Sequence, residues 1–436
     1  MANVRAVALK ILNRCTSAEQ YSNIALDTAL RREGIAEIDR GLLTTLVYGT
    51  IERQLTLDYQ IDALASRTGK IDPETRNLLR LGLYQLAYLD RVPDHAAVNE
   101  TVELAPRRTK GFVNAVLRAF LRAGKAVSYP DRESDLIAYL SVRYSFLPAL
   151  CAVFVDRFGA VRAEELLTAF EVQPPLTLRV NTLYRSREEY LRLLSDAGFD
   201  AEPTAECDTG INLSAASVGD LPDFEKGAFF VQDEASQLCV EALDARSGMT
   251  VLDVCACPGS KSFGAAIDMQ NVGRVIACDL HENKLSLVAS GASRLGLSIV
   301  ETVARDARDL NEEWIGAADR VLCDVPCSGF GVFAKKPELR YKDPAKSAAL
   351  PDIQLSILNT ACAYVKSGGL LVYSTCTLLP EENGGNIFRF LSSHPEFSLL
   401  RERTLYPDTD GTDGFYFAVM EKCAVEKRAI KSVLDG

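Results

Sequence analysis

From residue 232 onward the chain alternates short apolar runs with segments of helical spacing. The runs have the length of buried strands, and a polar turn with a helical segment follows each of them except the last. This alternation predicts a doubly wound parallel sheet of the α/β class, in which ligands bind at the carboxyl ends of the strands. The predicted strands are 250–254, 274–278, 299–303, 320–325 and 369–374, and a last strand without a following helix is predicted over 414–420.

The chain before this sheet falls into two parts. Residues 1–125 show apolar residues at three- and four-residue spacing, which predicts an all-α domain, and Asp72 is the candidate cap of one of its helices. The following part mixes predicted helices over 147–158 and 186–197 with a strand over 177–181. The predicted domains are an all-α domain over 1–135, a small α+β connecting subdomain over 142–230, the sheet domain over 232–423 and a carboxyl-terminal tail over 424–436.

The composition indicates an ordinary globular protein with reduced thiols. Its 436 residues exceed the size of most single cores, so two or three domains are expected. The twelve cysteines are scattered and several lie in apolar runs, which is typical of cytoplasmic proteins. No run approaches 18 apolar residues and the first residues lack a signal-peptide core, so we expect a cytoplasmic protein that binds no membrane.

Cys255 and Cys257 could form half of a zinc site. The chain has no Cys-x-x-Cys partner for them, and its three histidines are His95, His281 and His394. We therefore expect no metal site and no acid–base catalysis by histidine.

The net charge of −11 is unevenly distributed along the chain. Residues 1–140 hold 19 Lys and Arg against 17 Asp and Glu, whereas the remainder holds 29 against 42. A basic cluster in the amino-terminal part could bind RNA phosphates, or it could be a solvated helical face. The members of this cluster are Arg107, Arg108, Lys110, Arg118, Arg122 and Lys125.

The first predicted strand runs into a glycine-bearing loop that suits a nucleoside ligand. Gly259 permits a close backbone approach, and the motif lacks the three glycines of a dinucleotide fingerprint. Asp279 at the end of the second strand suits paired ribose hydroxyls, and Asp306 after the third could meet an adenine edge. A nucleoside without phosphates, such as S-adenosylmethionine, fits this acidic crevice. The loop reads Cys255-Ala256-Cys257-Pro258-Gly259-Ser260-Lys261.

Two later strand ends carry cysteines. They read Asp324-Val325-Pro326-Cys327-Ser328-Gly329 and Tyr373-Ser374-Thr375-Cys376-Thr377. The fourth and fifth strands are neighbours in the usual order of this fold, so Cys327 and Cys376 should emerge side by side. A thiolate there could add to an aromatic ring and a second thiol could assist release, whereas the alternative for each is a buried structural thiol. The residues alone do not say which thiol adds.

These two cysteine motifs resemble the paired Pro-Cys and Thr-Cys motifs of the RNA 5-methylcytosine methyltransferases. The amino-terminal part resembles a NusB-type RNA-binding domain. With both parts together, nearly the whole chain is similar to the bacterial 16S ribosomal RNA (cytosine-C5) methyltransferases of the RsmB, Sun or Fmu type. The further matching runs are 231–236, 354–358, 380–383 and 413–415 for the methyltransferase, and 39–40, 46–50, 81–86 and 111–118 for the NusB-like domain.

The resemblance implies a class I, Rossmann-like domain that uses S-adenosylmethionine to methylate carbon 5 of a cytosine at a 967-type position of 16S ribosomal RNA. It implies that Cys376 attacks carbon 6 of the base and that Cys327 helps to remove the C5 proton and release the enzyme. Asp324 would hold the amino and N3 edge of the cytosine, and Lys261 would line the pocket. The expected cofactor-binding residues are Cys255, Ala256, Cys257, Pro258, Gly259, Ser260, Lys261, Asp279, Asp306 and Asp324.

The glycine-bearing loop departs from the family pattern Ala-Pro-Gly-Gly-Lys-Thr, because Cys257, Ser260 and Ser262 replace Ala, Gly and Thr. We expect a monomer whose partner is 16S ribosomal RNA, either naked or in an assembly intermediate. Two alternatives are the same chemistry on transfer RNA and a non-catalytic RNA-binding factor for ribosome assembly. The presence of both thiols speaks against the non-catalytic alternative.

Overall fold

The computed structural model describes residues 3–18, 22–65, 71–214 and 217–423, so the predicted tail over 424–436 lies outside the described residues. The chain divides into two compact units. We call them the helical unit, Met1–Glu171 with Phe333–Lys346, and the sheet unit, Val172–Val332 with Ser347–Gly436. The chain therefore leaves the sheet unit after Val332, contributes a segment to the helical unit, and returns.

Ten helices make up the described part of the helical unit before residue 172, which confirms the predicted all-α character. The helices are α1 Val4–Ala18, α2 Ser22–Arg32, α3 Glu37–Glu52, α4 Gln54–Leu64, α5 Pro73–Tyr88, α6 Asp94–Leu104, α7 Lys110–Arg122, α8 Leu136–Tyr144, α9 Pro148–Phe158 and α10 Ala160–Ala169. Buried leucine, isoleucine and valine side chains of α1–α7 form one core.

Helix α5 is the central helix of this core. Its residues 77–86 are all buried, as their dense apolar spacing requires. The carboxylate of Asp72 accepts a hydrogen bond from the backbone N–H of Thr75 at 3.0 Å, and Pro73 occupies the first turn. This confirms the helix start predicted from Asp72-Pro73, because the cap satisfies a backbone N–H that the helix leaves free.

The segment Phe333–Lys346, which we call the inserted segment, packs inside the helical unit. Phe333 is fully buried, and its ring meets the rings of Phe146 and Phe170 edge-to-face at centroid distances of 4.9 and 4.8 Å. Such edge-to-face contacts add to the stabilisation that comes from burying the rings. The inserted segment therefore completes part of the helical core.

Arg340 of the inserted segment is 1% exposed. Its guanidinium donates to the backbone carbonyls of Tyr144 at 3.0 Å and Phe170 at 2.7 Å. Next to it, the hydroxyl of Tyr341 lies 2.8 Å from the Ser145 hydroxyl. The two bonds from Arg340 satisfy carbonyl groups at the ends of α8 and α10.

Helices α8–α10 belong to the helical unit. Helix α8 packs against α4, and the hydroxyl of Thr56 donates to the carbonyl of Val142 at 2.6 Å. Residues 142–171 therefore pack with the amino-terminal helices. The sequence instead predicts that a connecting subdomain begins at residue 142. The domain boundaries themselves stay a prediction.

The sheet unit begins with a small antiparallel sheet in the order β2-β3-β1-β4. Helix α11 buries Tyr190 and Leu194 against its apolar face. The strand predicted over 177–181 and the helix predicted over 186–197 are both confirmed. The elements are β1 Leu176–Val180, β2 Ala201–Pro203, β3 Gly210–Leu213, β4 Phe229–Val231 and α11 Arg187–Asp196.

In the described residues up to 423, a second, seven-stranded sheet and five α-helices form the rest of the sheet unit. The strands are β5 Thr250–Asp253, β6 Arg274–Asp279, β7 Val300–Ala304, β8 Ala318–Asp324, β9 Val365–Thr375, β10 Phe397–Leu405 and β11 Phe415–Lys422. The helices are α12 Glu234–Leu243, α13 Ser260–Asp268, α14 Glu282–Arg294, α15 Leu350–Ala361 and α16 Gly384–Ser393. Short 3₁₀ turns lie at Val218–Asp220, Glu312–Trp314, Pro337–Tyr341, Pro344–Ser347 and Cys362–Tyr364.

The strand order of this sheet is β10-β11-β9-β8-β5-β6-β7. Strands β5–β9 pair in parallel, whereas β11 is antiparallel to β9 and to the edge strand β10. The doubly wound α/β prediction is thus confirmed. Because β5, β8 and β9 are neighbours at the centre, the loops that follow them meet at one edge of the sheet.

Two details of the sheet differ from the prediction. No α-helix follows β7: within the described residues 305–317, a 3₁₀ turn at Glu312–Trp314 leads directly into β8. The sequence also does not predict β10, which pairs with β11 alone and leaves Leu399–Glu402 exposed. An edge strand of this kind lacks the buried alternation on which strand prediction rests.

Among the described residues, no single helix combines the length and the apolarity of a membrane span. Helices α8 and α9 pass such a test only when taken together, and the chain bends by 114° between them.

Candidate active site

Cys327 and Cys376 lie side by side at the carboxyl ends of β8 and β9. Their Sγ atoms are 3.3 Å apart, close enough for a hydrogen bond in which either thiol could donate. The parallel pairing of Asp324 with Ser374 sets this arrangement, because Cys327 comes three residues after Asp324 and Cys376 two residues after Ser374. Both thiols are partly accessible. The predicted juxtaposition of the two cysteines is therefore found.

Backbone contacts hold the two cysteine loops together. Gly331 forms a β-bridge with Thr377, and the hydroxyl of Ser328 donates to the Thr377 hydroxyl at 2.8 Å. The backbone N–H of Gly414 donates to the carbonyl of Gly331 at 2.8 Å. A Cβ on Gly331 would collide with the carbonyl oxygen of Gly414, so this close approach requires glycine.

The surroundings of Cys327 favour its protonated form. The hydrogen bond to Cys376, followed by burial, raises the pKa of the Cys327 thiol well above its ordinary value, and the nearby Glu382 carboxylate acts in the same direction. Cys327 therefore keeps its proton at neutral pH. A protonated Cys327 can donate its hydrogen bond to the sulfur of Cys376.

Asp324 and Lys261 form an ion pair beside the thiols. The Nζ of Lys261 lies 2.7 Å from Oδ2 of Asp324, and the Ser374 hydroxyl donates to Oδ1 at 2.8 Å. Lys261 is buried, and its Nζ lies 5.2 Å from the centroid of the Phe415 ring. Burial alone would lower the pKa of Lys261. The attraction of the Asp324 carboxylate acts more strongly in the opposite direction, so the pKa of Lys261 is raised. Lys261 therefore stays charged at neutral pH.

The glycine-bearing loop connects β5 to α13. Gly259 has φ +110° and precedes the first turn of α13, where a Cβ would collide with the ring of Phe263. Ser260 begins the helix, and the Cys257–Pro258 peptide bond is cis. The backbone N–H of Ala256 donates to the carbonyl of Cys278 at 2.7 Å, which fixes the loop to β6.

Asp253, at the end of β5, was not among the predicted site residues. Its carboxyl is buried and accepts a hydrogen bond from the Ser262 hydroxyl at 2.6 Å. Burial raises the pKa of Asp253 to about 7. Ser262 stands where the family has threonine, so the hydroxyl that donates to Asp253 is retained. That retained hydroxyl is the sequence signal that could have identified Asp253. Burial also raises the pKa of the neighbouring Cys255 thiol.

The two remaining predicted carboxylates occupy different environments. Asp279 ends β6 and accepts a hydrogen bond from the N–H of His281 at 2.9 Å. Burial and then the charge of Asp279 raise the pKa of the Cys257 thiol to about 12. Asp306 follows β7, where Arg308 donates to it from its side chain and its backbone and lowers its pKa to about 2. Asp306 is thus already engaged by an arginine, whereas Asp279 interacts with neutral groups.

The basic cluster lies on and around α7, whose opposite face is buried in the helical core. Lys110 pairs with Glu103 at 2.9 Å and Lys125 with Asp94 at 2.9 Å. The four arginines of the cluster are exposed to solvent, and they are Arg107, Arg108, Arg118 and Arg122. The arrangement fits both a solvated face and a phosphate-binding surface.

In the described ranges, no group of three or more His, Cys, Asp and Glu side chains is arranged to hold a metal ion. Cys255 and Cys257 therefore have no further ligands there.

Three family models match this chain. The 16S rRNA methyltransferase RsmB/F model matches residues 240–421, the NusB family model matches 2–122, and the model of the ferredoxin-like domain of RsmF/B-like methyltransferases matches 150–218. The all-α part is therefore NusB-like and the large sheet is that of a Rossmann-like methyltransferase.

Relatives match over nearly the whole chain. The probable ribosomal RNA small subunit methyltransferase B of Bacillus subtilis (strain 168) is 38% identical, covering 96% of this chain and 99% of that protein. The crystal structure of PH0851 has a TM-score of 0.79 at 25% identity, over 97% of this chain and 99% of that one. The crystal structure of a methyltransferase homolog protein from Pyrococcus horikoshii has a TM-score of 0.59 at 28% identity, over 66% and 99%.

Proposed function

This chain belongs to the RsmB/F family of 16S rRNA methyltransferases, and on that basis we propose that it methylates carbon 5 of a cytosine at a 967-type position of 16S ribosomal RNA. The observation that carries the proposal is the pair of thiols 3.3 Å apart at the ends of two adjacent strands. Carbon 5 of cytosine is a poor nucleophile until a group adds to carbon 6, and a thiolate is suited to that addition.

The protein is an S-adenosylmethionine-dependent methyltransferase, and this donor supplies the methyl group that carbon 5 accepts. The residues after β5 and β6 fit it. Gly259 ends the loop at the start of α13, where the backbone N–H groups of the first helical turn can contact a ligand, and the Asp279 carboxylate suits paired ribose hydroxyls. We propose that the loop Cys255–Lys261, Asp279, Asp306 and Asp324 line the donor site, with the loop and Asp279 as the principal contacts because Arg308 already occupies Asp306.

Asp324 and Lys261 are proposed to position the cytosine. A carboxylate can accept a hydrogen bond from the amino group of the base, and the ammonium of Lys261 holds that carboxylate from the other side. Lys261 is buried and Asp324 is partly exposed at the end of β8, three residues before Cys327, so a base bound to Asp324 would lie within reach of Cys376. A cytosine must leave its stack to enter such a site, which costs roughly a few kcal/mol and least in an RNA loop.

Cys376 is proposed as the nucleophile. Its thiolate forms a bond to carbon 6, and the electron pair of the C5–C6 double bond then makes carbon 5 nucleophilic. After methylation, the proton on carbon 5 must leave so that the double bond re-forms and the bond between sulfur and carbon 6 breaks. Cys327 can give its own proton to the departing Cys376 sulfur and take the C5 proton in exchange. Solvent receives one proton when Cys376 ionises again.

The NusB-like helices are proposed to bind the RNA substrate through the exposed arginines around α7. We propose a cytoplasmic monomer acting on naked RNA or on an assembly intermediate. The same chemistry on transfer RNA remains the alternative, because the thiol pair does not determine which RNA is methylated. The presence of both thiols disfavours a non-catalytic assembly factor.

Bisulfite sequencing of ribosomal and transfer RNA from a deletion strain tests this proposal. We expect one cytosine of 16S ribosomal RNA to lose its protection from conversion, and a plasmid copy of the gene to restore it. Loss of protection only at a transfer RNA cytosine would show that the substrate is transfer RNA and not 16S ribosomal RNA. Unchanged protection in every RNA, combined with no methyl transfer by the purified protein, would exclude the cytosine-C5 activity.

A further inference from the structure

Glu382 is a buried carboxylate beside the Cys327 loop. Its side chain is 1% exposed and lies in the connection between β9 and α16. Its Oε2 accepts the backbone N–H of Ser328 at 2.9 Å and the side-chain amide of Gln354 at 2.7 Å. Its Oε1 is equally buried and has no hydrogen-bond partner among the described residues. A buried carboxylate oxygen without a hydrogen-bond partner lowers the stability of the folded protein, which indicates that Glu382 has a role beyond packing.

A hydrogen-bond network prevents Glu382 from turning away from this position. The Gln354 amide also donates to the carbonyl of Pro326 at 3.0 Å, so α15 binds both the carboxylate and the cysteine loop. The Tyr373 hydroxyl donates to the backbone carbonyl of Glu382 at 2.6 Å, and Asn386 donates to the Gln354 side-chain oxygen at 3.0 Å. The charge is therefore fixed relative to the residues on both sides of Cys327.

The charge of Glu382 lies next to Cys327, because the carboxylate is bonded to the backbone N–H of Ser328, the following residue. The titratable neighbours of Cys327 include Tyr373 from β9, Cys376 directly after β9 and Glu382 from the connection to α16. Lys261 from α13, the cation of the site, is paired with Asp324. No positive charge on these elements is thus free to stabilise a thiolate on Cys327, whereas the carboxylate of Glu382 disfavours it.

We propose that Glu382 is a positioning residue that assigns the two thiols their different protonation states. Its fixed negative charge keeps the proton on Cys327 and leaves the negative charge of the pair on Cys376, and its bond to Ser328 holds Cys327 in donating position. This inference rests on the proposed function, since a protonated Cys327 is the group that releases Cys376 from the base. It predicts that Cys327 is the less acidic of the two thiols in the free enzyme.

The test is the pH dependence of alkylation of each cysteine by iodoacetamide in the full-length protein without RNA, followed by mass spectrometry of the two peptides. In the unmodified protein Cys376 should react at lower pH than Cys327. In Glu382→Gln, which retains an acceptor for Ser328 but removes the charge, the midpoint for Cys327 should fall by about one pH unit. Glu381→Gln is the matched control and should leave both midpoints unchanged.

Activity gives the second readout. Glu382→Gln should lower kcat about tenfold while KM for RNA stays constant, because the group acts on release and not on binding. Unchanged alkylation midpoints in Glu382→Gln would overturn the proposal. If that variant fails to fold, the unmodified protein decides: a Cys327 that reacts at or below the pH of Cys376 also overturns it. Since alkylation needs no RNA, the order of the thiols can be correct even where the proposed cytosine methylation fails.

Discussion

Cys327 and Cys376 are close enough to share a proton, yet they are proposed to act at opposite ends of the reaction. The 3.3 Å separation of their sulfur atoms means that removing either one changes the environment of the other. The loss of Cys327 removes the proton donor for release, while the loss of Cys376 removes the atom that bonds to the base. The two variants should therefore fail in different ways.

We expect Cys327→Ala to accumulate a covalent protein–RNA adduct, because carbon 6 stays bound to Cys376 when its proton donor is absent. The adduct should appear as a slow band on a denaturing gel. Cys376→Ala should lose methyl transfer by at least about a thousandfold, keep its RNA affinity and form no adduct.

Cys423→Ala is the control for these two variants, since Cys423 lies at the far end of β11 with Ser398 as its neighbour. It should behave like the unmodified protein. An adduct in Cys376→Ala and none in Cys327→Ala would mean that the two roles are exchanged.

At the scale of elements, the sequence predicts every strand of the large sheet except β10, and the strands buried on both faces are among those predicted. Strands β5, β6, β8 and β9 are short apolar runs because helices cover both faces of a parallel sheet. The placement of Cys327 next to Cys376 follows from their order. The sequence does not predict β10, whose side chains are mostly exposed, and it does not predict a role for Glu382. The partners of Glu382 lie 54 and 28 residues away, and only the packed fold brings them together.

The bridge between the two cysteine loops is the element on which the site geometry depends. Gly331→Ala should push the bridge apart, because its new methyl group meets the backbone of Gly414. We expect a loss of methyl transfer of about a hundredfold, since a displacement of roughly 1 Å is enough for such a loss. Thermal unfolding should show a destabilisation of only about 1–3 kcal/mol.

Gly384→Ala is the matched control for Gly331→Ala, because its nearest contact would be an ordinary one of 3.7 Å to Glu402. Equal losses in both variants would show that the bridge has no special part in holding the thiols.

At the scale of the whole molecule, the inserted segment makes the stability of the helical unit depend on residues that follow the cysteine loop. Arg340→Ala would leave the carbonyls of Tyr144 and Phe170 without donors and open a cavity against Phe146. We expect a loss of about 2–4 kcal/mol in the helical unit. Hydrogen exchange followed by mass spectrometry should show faster exchange in α8–α10 and unchanged exchange in β8 and β9.

Lys346→Ala, at an exposed position of the same segment, should leave exchange unchanged throughout. Faster exchange in β8 and β9 of the Arg340→Ala protein, with α8–α10 unaffected, would contradict this dependence.

The inserted segment also sets an order of events during protein synthesis. The ribosome completes α1–α10 first, but the donor for the Phe170 carbonyl is Arg340, made 170 residues later. A nascent chain therefore holds an unfinished helical core while most of the sheet is being translated, and its exposed aromatic rings are a target for chaperones. For the same reason no single cut releases an intact amino-terminal module: cleavage after Glu171 leaves part of that module's core on the other fragment.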